Sequence, residues 1–141
     1  MVRFKNRYLL VELIWADGRT DRSLSATMLQ RTVKKVIADG FGEFGLAACQ
    51  HATQVKYFNN ATNVAIIRCP RSHHRMVWVA LTLLTLYEQR QVIVRVIHNG
   101  GTIRSCQKRA IARNLELLHQ ISAPQDLIDQ TARDIMSIDA T

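Results

Sequence analysis

Val2-Arg3-Phe4-Lys5-Asn6-Arg7-Tyr8-Leu9-Leu10-Val11-Glu12-Leu13-Ile14-Trp15 opens the chain, and its reading decides the fold. Successive strand side chains point to opposite faces. Arg3, Lys5 and Arg7 therefore share a face with Leu9, Val11, Leu13 and Trp15, and Val2, Phe4, Tyr8 and Leu10 share the other. The first half projects three cations along one edge, spaced about 7 Å apart. The second half is apolar on both faces, which predicts a central strand covered on both sides. Asp17-Gly18-Arg19 ends it as a turn.

Outward from that strand, a helix follows. Ser23 or Ser25 can cap it, Met28, Leu29, Val33, Val36 and Ile37 recur at helical spacing, and Gly40 stands where a left-handed C-terminal residue belongs. Residues 44–58 read as extended, with Val55-Lys56-Tyr57-Phe58 the strongest β segment. Asn59-Asn60-Ala61-Thr62 is turn chemistry, and residues 63–69 pair back as a hairpin closed by Pro70. Ser72 can cap a second helix reaching about Gln89, and residues 91–98 form another strand. Gly100-Gly101-Thr102 opens a third helix, striped by Ile103, Ala110, Ile111, Leu117 and Leu118. Ser122-Ala123-Pro124-Gln125 fits a capping box before a short acidic helix. The order β-α-β-β-α-β predicts an α+β, ferredoxin-like split βαβ sandwich with additional C-terminal helices: four antiparallel strands, the first and third central, and two helices on one face. One domain covers residues 1–141, with 119–141 an acidic helical tail.

The 141 residues carry 19 Lys+Arg against 11 Asp+Glu, a net charge of +8, and 48% are apolar. That composition supports a packed core and excludes wholesale disorder. The longest apolar-rich stretch, near residues 76–87, is far short of the roughly 20 residues a membrane span needs. No secretory h-region follows the first residues, and three scattered cysteines make a disulfide framework unexpected. A soluble, intracellular, reducing setting is the expectation.

The charge is segregated. Residues 1–115 carry 18 basic and 6 acidic side chains, and the remainder carries Arg133 against five acids. No acid falls between Phe44 and Tyr87, or between Gln89 and Leu115. One-sided stretches of this kind suit a polyanion, nucleic acid before an anionic membrane.

Catalytic chemistry is hard to place. The acids before residue 116 (Glu12, Asp17, Asp21, Asp39, Glu43, Glu88) fall in separate elements, so no carboxylate cluster for divalent ions is legible. His73 and His74 are adjacent and diverge on a helix. Cys69 and His73 make at most half a zinc site. Base stacking of the RNA-recognition type is unsupported, because residues 63–69 hold no aromatic and the chain is 6% aromatic. RNA contact would then rest on phosphates and shape.

The strongest local feature is His98-Asn99-Gly100-Gly101-Thr102-Ile103-Arg104. Glycines allow a tight turn and close approach of a ligand, and the next helix offers unpaired N–H groups. Arg104 and Lys108 lie along one side of that helix, Arg109 and Arg113 along an adjoining one. The stretch reads either as a phosphate cradle with a cationic wall or as an ordinary strand-to-helix turn before a solvated helix.

Further stretches belong together: Phe44-Gly45 with Ala47-Ala48-Cys49, Val55-Lys56-Tyr57 with Asn59, Ile67-Arg68-Cys69, Val77-Trp78 with Ala80-Leu81, and Gly100-Gly101-Thr102-Ile103-Arg104 with Cys106-Gln107-Lys108. With residues 2–10, and in this order over about residues 1–118, they resemble the Pop-five family of small protein subunits shared by ribonuclease P and ribonuclease MRP. The resemblance implies a ferredoxin-like fold and a non-catalytic subunit. It also implies that the RNA and its bound Mg²⁺ remove 5′ leaders from precursor tRNA, while the chain itself holds no cofactor. Implied partners are the ribonuclease P RNA, the MRP RNA with a role in rRNA processing, a TIM-barrel-like subunit and other proteins of the particles, with precursor tRNA nearby. Implied location is the nucleus and nucleolus. RNA contact is carried onto Arg3, Lys5, Arg7, Lys56, Arg68, Gly100, Gly101, Arg104, Lys108, Arg109 and Arg113. A protein-only metal-dependent nuclease or phosphatase, and a free-standing RNA chaperone, are the alternatives on the same fold.

Overall fold

The computed structural model describes residues 5–19 and 23–138. Its elements run β1 (Asn6–Trp15), α1 (Ala26–Cys49), β2 (Gln54–Asn59), β3 (Val64–Pro70), a 3₁₀ turn (Arg71–His73), α2 (His74–Leu83), β4 (Leu86–Tyr87), β5 (Arg90–Gly100), α3 (Ile103–Gln120) and α4 (Gln125–Met136). They build an α+β structure on one antiparallel sheet, ordered β2-β3-β1-β5-β4. The first and third strands lie inside the sheet, and β1 pairs with β3 on one side and β5 on the other.

Both faces of β1 are buried from Tyr8 to Leu13. Leu9, Val11, Leu13 and Trp15 join the core that α1 and α2 close, with Leu29, Val33, Ile37, Val77 and Leu81. Tyr8 and Leu10 join Val64 and Ile66 beneath α3 and α4, through Cys106, Ala110 and Ile135. Each fully buried Leu or Ile here is worth about 1.5–3 kcal/mol of transfer free energy. The C-terminal helices therefore cover the sheet face that α1 and α2 leave bare.

Four boundaries differ from the sequence expectation. Gly40 lies within the helix, and the left-handed residue is Gly42 (φ 70°). The chain kinks there and turns helical again to Cys49, so residues 44–49 are helix rather than strand. Gly45 sits against Phe41 and Met76, where a Cβ would collide with Phe41. Second, α2 stops at Leu83, and the next residues form a fifth strand where four were expected. A hairpin with left-handed Glu88 and Gln89 (φ 46° and 68°) returns the chain into β5. Trp15 holds this corner, stacked edge-on to Tyr87 at 6.1 Å and beneath the Arg90 guanidinium at 4.3 Å. Third, Ser72 does not cap α2; its hydroxyl bonds the His73 ring. Fourth, α4 has no capping box: Pro124 occupies the cap position without a side-chain bond, and Ser122 is left-handed.

Glu12, a charged residue on β1, is 8% exposed. Arg113 of α3 donates two bonds to its carboxylate, 3.0 and 3.1 Å, and Arg95 of β5 one of 3.3 Å. These pairs clamp α3 across the sheet. At the other end of that layer, the Gln107 amide donates to the Ile135 and Ile138 carbonyls at 3.0 and 3.2 Å and ties α4 down. Gln107→Leu removes both donors and is expected to lower unfolding stability by about 1–2 kcal/mol. A urea midpoint measures the loss, and proteolysis should cut first near residue 137.

Candidate nucleic-acid interface

The end of the sheet where β1 begins is also where β3 and β5 finish. Asn6 pairs with Pro70 and Tyr8 with Gly100, and the Arg71 N–H donates to the Lys5 carbonyl at 2.9 Å. Antiparallel register therefore brings the N-terminal cations beside the glycine turn and beside Arg71, although about 65 to 95 residues separate them in sequence.

Arg7 reaches the turn directly. A Cβ built on Gly101 would lie 3.1 Å from its Nη1, and one on Gly100 would lie 3.1 Å from the His98 ring and 3.3 Å from the Cys106 sulfur. Among the described glycines only Gly18 and Gly42 have positive φ. At Gly100 and Gly101 the missing Cβ therefore matters for space, most of all at Gly100, rather than for a left-handed backbone. Arg7 Nε is buried and has no hydrogen-bond partner among the described residues.

The first turn of α3 is pinned to this end. Thr102 Oγ1 accepts from the Ser105 N–H at 3.3 Å, Ser105 Oγ shares a 2.8 Å bond with the His98 ring, and the Cys106 thiol donates to the Tyr8 carbonyl at 3.1 Å. With Cys106 and Ala110 facing the sheet, Arg104, Lys108 and Arg109 point to solvent. None of the three pairs with a carboxylate among the described residues.

The other predicted contacts are placed differently. Arg113 is spent on Glu12 and on Glu116 at 3.0 Å, and its pKa is raised, chiefly by the Glu12 hydrogen bond. It belongs to the clamp and is not part of an open cationic wall. Arg68, half-buried on β3 opposite Tyr8, donates to the Ala52 carbonyl at 3.3 Å. Lys56 is the bulged residue of β2, half-buried. Arg3 lies outside the described residues. Arg71 was missed by the sequence reading of the site, although its place just after Pro70 in an acid-free stretch was a usable signal. Lys5, Arg7, Arg71 and Arg104 thus gather at one end, with Lys108 and Arg109 continuing along α3.

The thiols at this end are held in their protonated form. Burial pushes the Cys69 thiol up to about 12 and the Cys106 thiol to about 11. At neutral pH both stay protonated, and a thiol is a poor nucleophile and ligand compared with a thiolate. Among the described residues, no three His, Cys, Asp or Glu side chains gather as metal ligands, and no helix is long and apolar enough to cross a membrane.

Comparison with known proteins bears on this arrangement. The model of the Rpp14/Pop5 family matches residues 7–111. The chain is 33% identical to the ribonuclease P/MRP protein subunit POP5 of Schizosaccharomyces pombe, over 92% of this chain and 99% of that one. It is 41% identical to the human ribonuclease P/MRP protein subunit POP5, over 81% of this chain and 72% of that one. Among solved structures, a chain of the yeast ribonuclease MRP cryo-EM structure superposes with a TM-score of 0.52 at 9% identity, covering 74% of this chain and 79% of that chain, a likeness of fold.

The thiol environment is open to a direct check. Folded protein at pH 7.5 should react with a disulfide reagent far more slowly than urea-unfolded protein, in which all three cysteines titrate at once. Rapid reaction of Cys69 or Cys106 in the folded chain would contradict their burial.

Proposed function

Because this chain belongs to the Rpp14/Pop5 family and is a protein subunit of the ribonuclease P and MRP ribonucleoproteins of tRNA processing, we propose that it acts there by binding and bracing the RNA component. In this reading the RNA and its Mg²⁺ perform the phosphodiester hydrolysis that removes 5′ leaders from precursor tRNA, and in the MRP particle act on rRNA precursors. The chain supplies no catalytic group. Its partners are the two RNAs, a TIM-barrel-like subunit and the other proteins of the particles, with precursor tRNA close by, in the nucleus and nucleolus. The strand order β2-β3-β1-β5 supports a ferredoxin-like ancestry for the fold, with β4 an added edge piece.

The observation that carries the proposal is the pairing of Tyr8 with Gly100, which seats the Arg7 guanidinium against Gly101 at the start of α3. Cations that like-charge repulsion would otherwise spread are held together there with no carboxylate paired to them among the described residues. Phosphate oxygens relieve that repulsion, and a glycine turn lets a backbone come close. Lys5, Arg7, Gly100, Gly101, Arg104, Lys108 and Arg109 form the core of the contact; Arg3, Lys56 and Arg68 extend it. Arg113 acts through the clamp on α3.

Phosphate contacts release counterions, so each one lost should flatten the salt dependence of affinity by about one unit of slope. Lys5→Ala with Arg7→Ala is expected to weaken RNA binding and reduce that slope by about two, and Arg104→Ala with Lys108→Ala to do the same. Arg113→Ala should instead lower the unfolding midpoint. Unchanged slopes in both double variants would remove this end of the sheet from the interface. Cleavage of precursor tRNA by the purified chain with Mg²⁺ and no RNA component would overturn the non-catalytic reading.

A further inference from the structure

The sheet has two edges, and they are treated differently. On β2 the Gln30 side chain takes the Val55 N–H at 3.1 Å, and the bulge at Lys56 interrupts the strand. Edges blunted in this way resist further pairing. The edge on the far side of β5 has no such protection. There β4 covers only its first turn of ladder, with Tyr87 opposite Arg90, Leu86 opposite Gln91 and the Val92 N–H donating to the Thr85 carbonyl at 2.9 Å. Because the Gln91 carbonyl accepts from Ala16, Gln91 faces β1 and Val92 faces outward. The alternation then turns the main-chain groups of Val94 and Val96 outward, up to the bulge at Ile97. Beyond Val92 this side of β5 has no strand partner among the described residues.

The side chains beside that edge specify what fits. Ile93, Leu86 and Ile14 are 64%, 58% and 42% exposed, on a part of the sheet that α3 does not cover. With Ala16, Thr85 and Val92 they line a groove of about 360 Å³. Two residues along β5, on the same face, stands Arg95, whose side chain is 57% exposed. Its one bond, 3.3 Å, goes to a Glu12 carboxylate that Arg113 already holds by two shorter ones. Guanidinium donors therefore remain directed outward.

We propose that the outer edge of β5 receives an extended segment of another protein of the ribonuclease P/MRP particle, one that carries an apolar side chain and a carboxylate two residues apart. The main chain of that segment pairs with Val94 and Val96, its apolar residue lies against Ile93 and Leu86, and its acid meets Arg95. RNA suits this edge poorly, since the groove is apolar and the free main-chain groups recur at strand spacing. A second copy suits it poorly too: antiparallel pairing of two such edges would set Arg95 beside its own likeness, between chains each of net charge +8. The proposal rests on membership of the particle and is independent of the RNA contacts at the other end of β1.

Amide hydrogen exchange on the isolated full chain, on the chain bound to the RNA component alone and on the purified particle tests it. The Val94 and Val96 amides should exchange freely in the first two and at least about tenfold more slowly in the particle. A photo-crosslinker placed at Ile93 in the particle should label a protein segment in which an apolar and an acidic residue stand two apart. Equal exchange in all three samples, protection by RNA alone, or a crosslink to RNA or to a second copy would each overturn the proposal. Unchanged RNA affinity in the Lys5→Ala, Arg7→Ala variant, with protection at β5 intact, would count against the RNA interface only.

Discussion

A strand buried on both faces along most of its length must be hydrogen-bonded at both edges and packed on both sides, and β1 imposes those four demands on everything around it. Its main chain is satisfied by β3 and β5. Its odd-numbered side chains require a layer that α1 and α2 provide, and its even-numbered ones a second layer from α3 and α4. The depth of the sandwich follows from ten residues. So does the crowding of cations at one end, since the strand that threads the core begins with basic residues and ends beside Trp15.

Charge is sorted along the same strand. Glu12, halfway along, draws Arg113 and the more exposed Arg95 to its buried carboxylate, and leaving that carboxylate unmatched would cost far more than at the surface. Five to seven residues earlier, Lys5 and Arg7 have no carboxylate partner among the described residues. Arginines of identical chemistry on one helix thus have different work. Arg113 is consumed in holding α3 down, and that hold sets the rotation at which Arg104 and Lys108 face outward.

Much of this was legible beforehand. The two-residue period of β1, the glycine turn before α3 and the hairpin at Asn59 are local signals, and local signals survive without neighbours. Three features were not legible, each for a physical reason. Gly40 and Gly42 both lack a Cβ, and only the packing of Phe41 into the core decides which becomes left-handed. The β4–β5 hairpin turns on Glu88 and Gln89, where the usual Asn-Gly signature is absent, so the added strand left no mark. The Glu12–Arg113 pair spans 101 positions, and helix spacing alone placed Arg113 beside Arg109. In the candidate site, residue types were readable but which cations stay unpaired was not, because that depends on contacts across the sheet.

The tether of the last helix has one more implication. Gln107 grips α4 through the carbonyl oxygens of Ile135 and Ile138, which every amino acid possesses. The attachment is blind to the identity of the residues it holds, beyond the need to bury Ile128 and Ile135 or something of their bulk. The carboxyl end can therefore drift in composition, even to net acidity on a basic protein, and still be fastened in the same place.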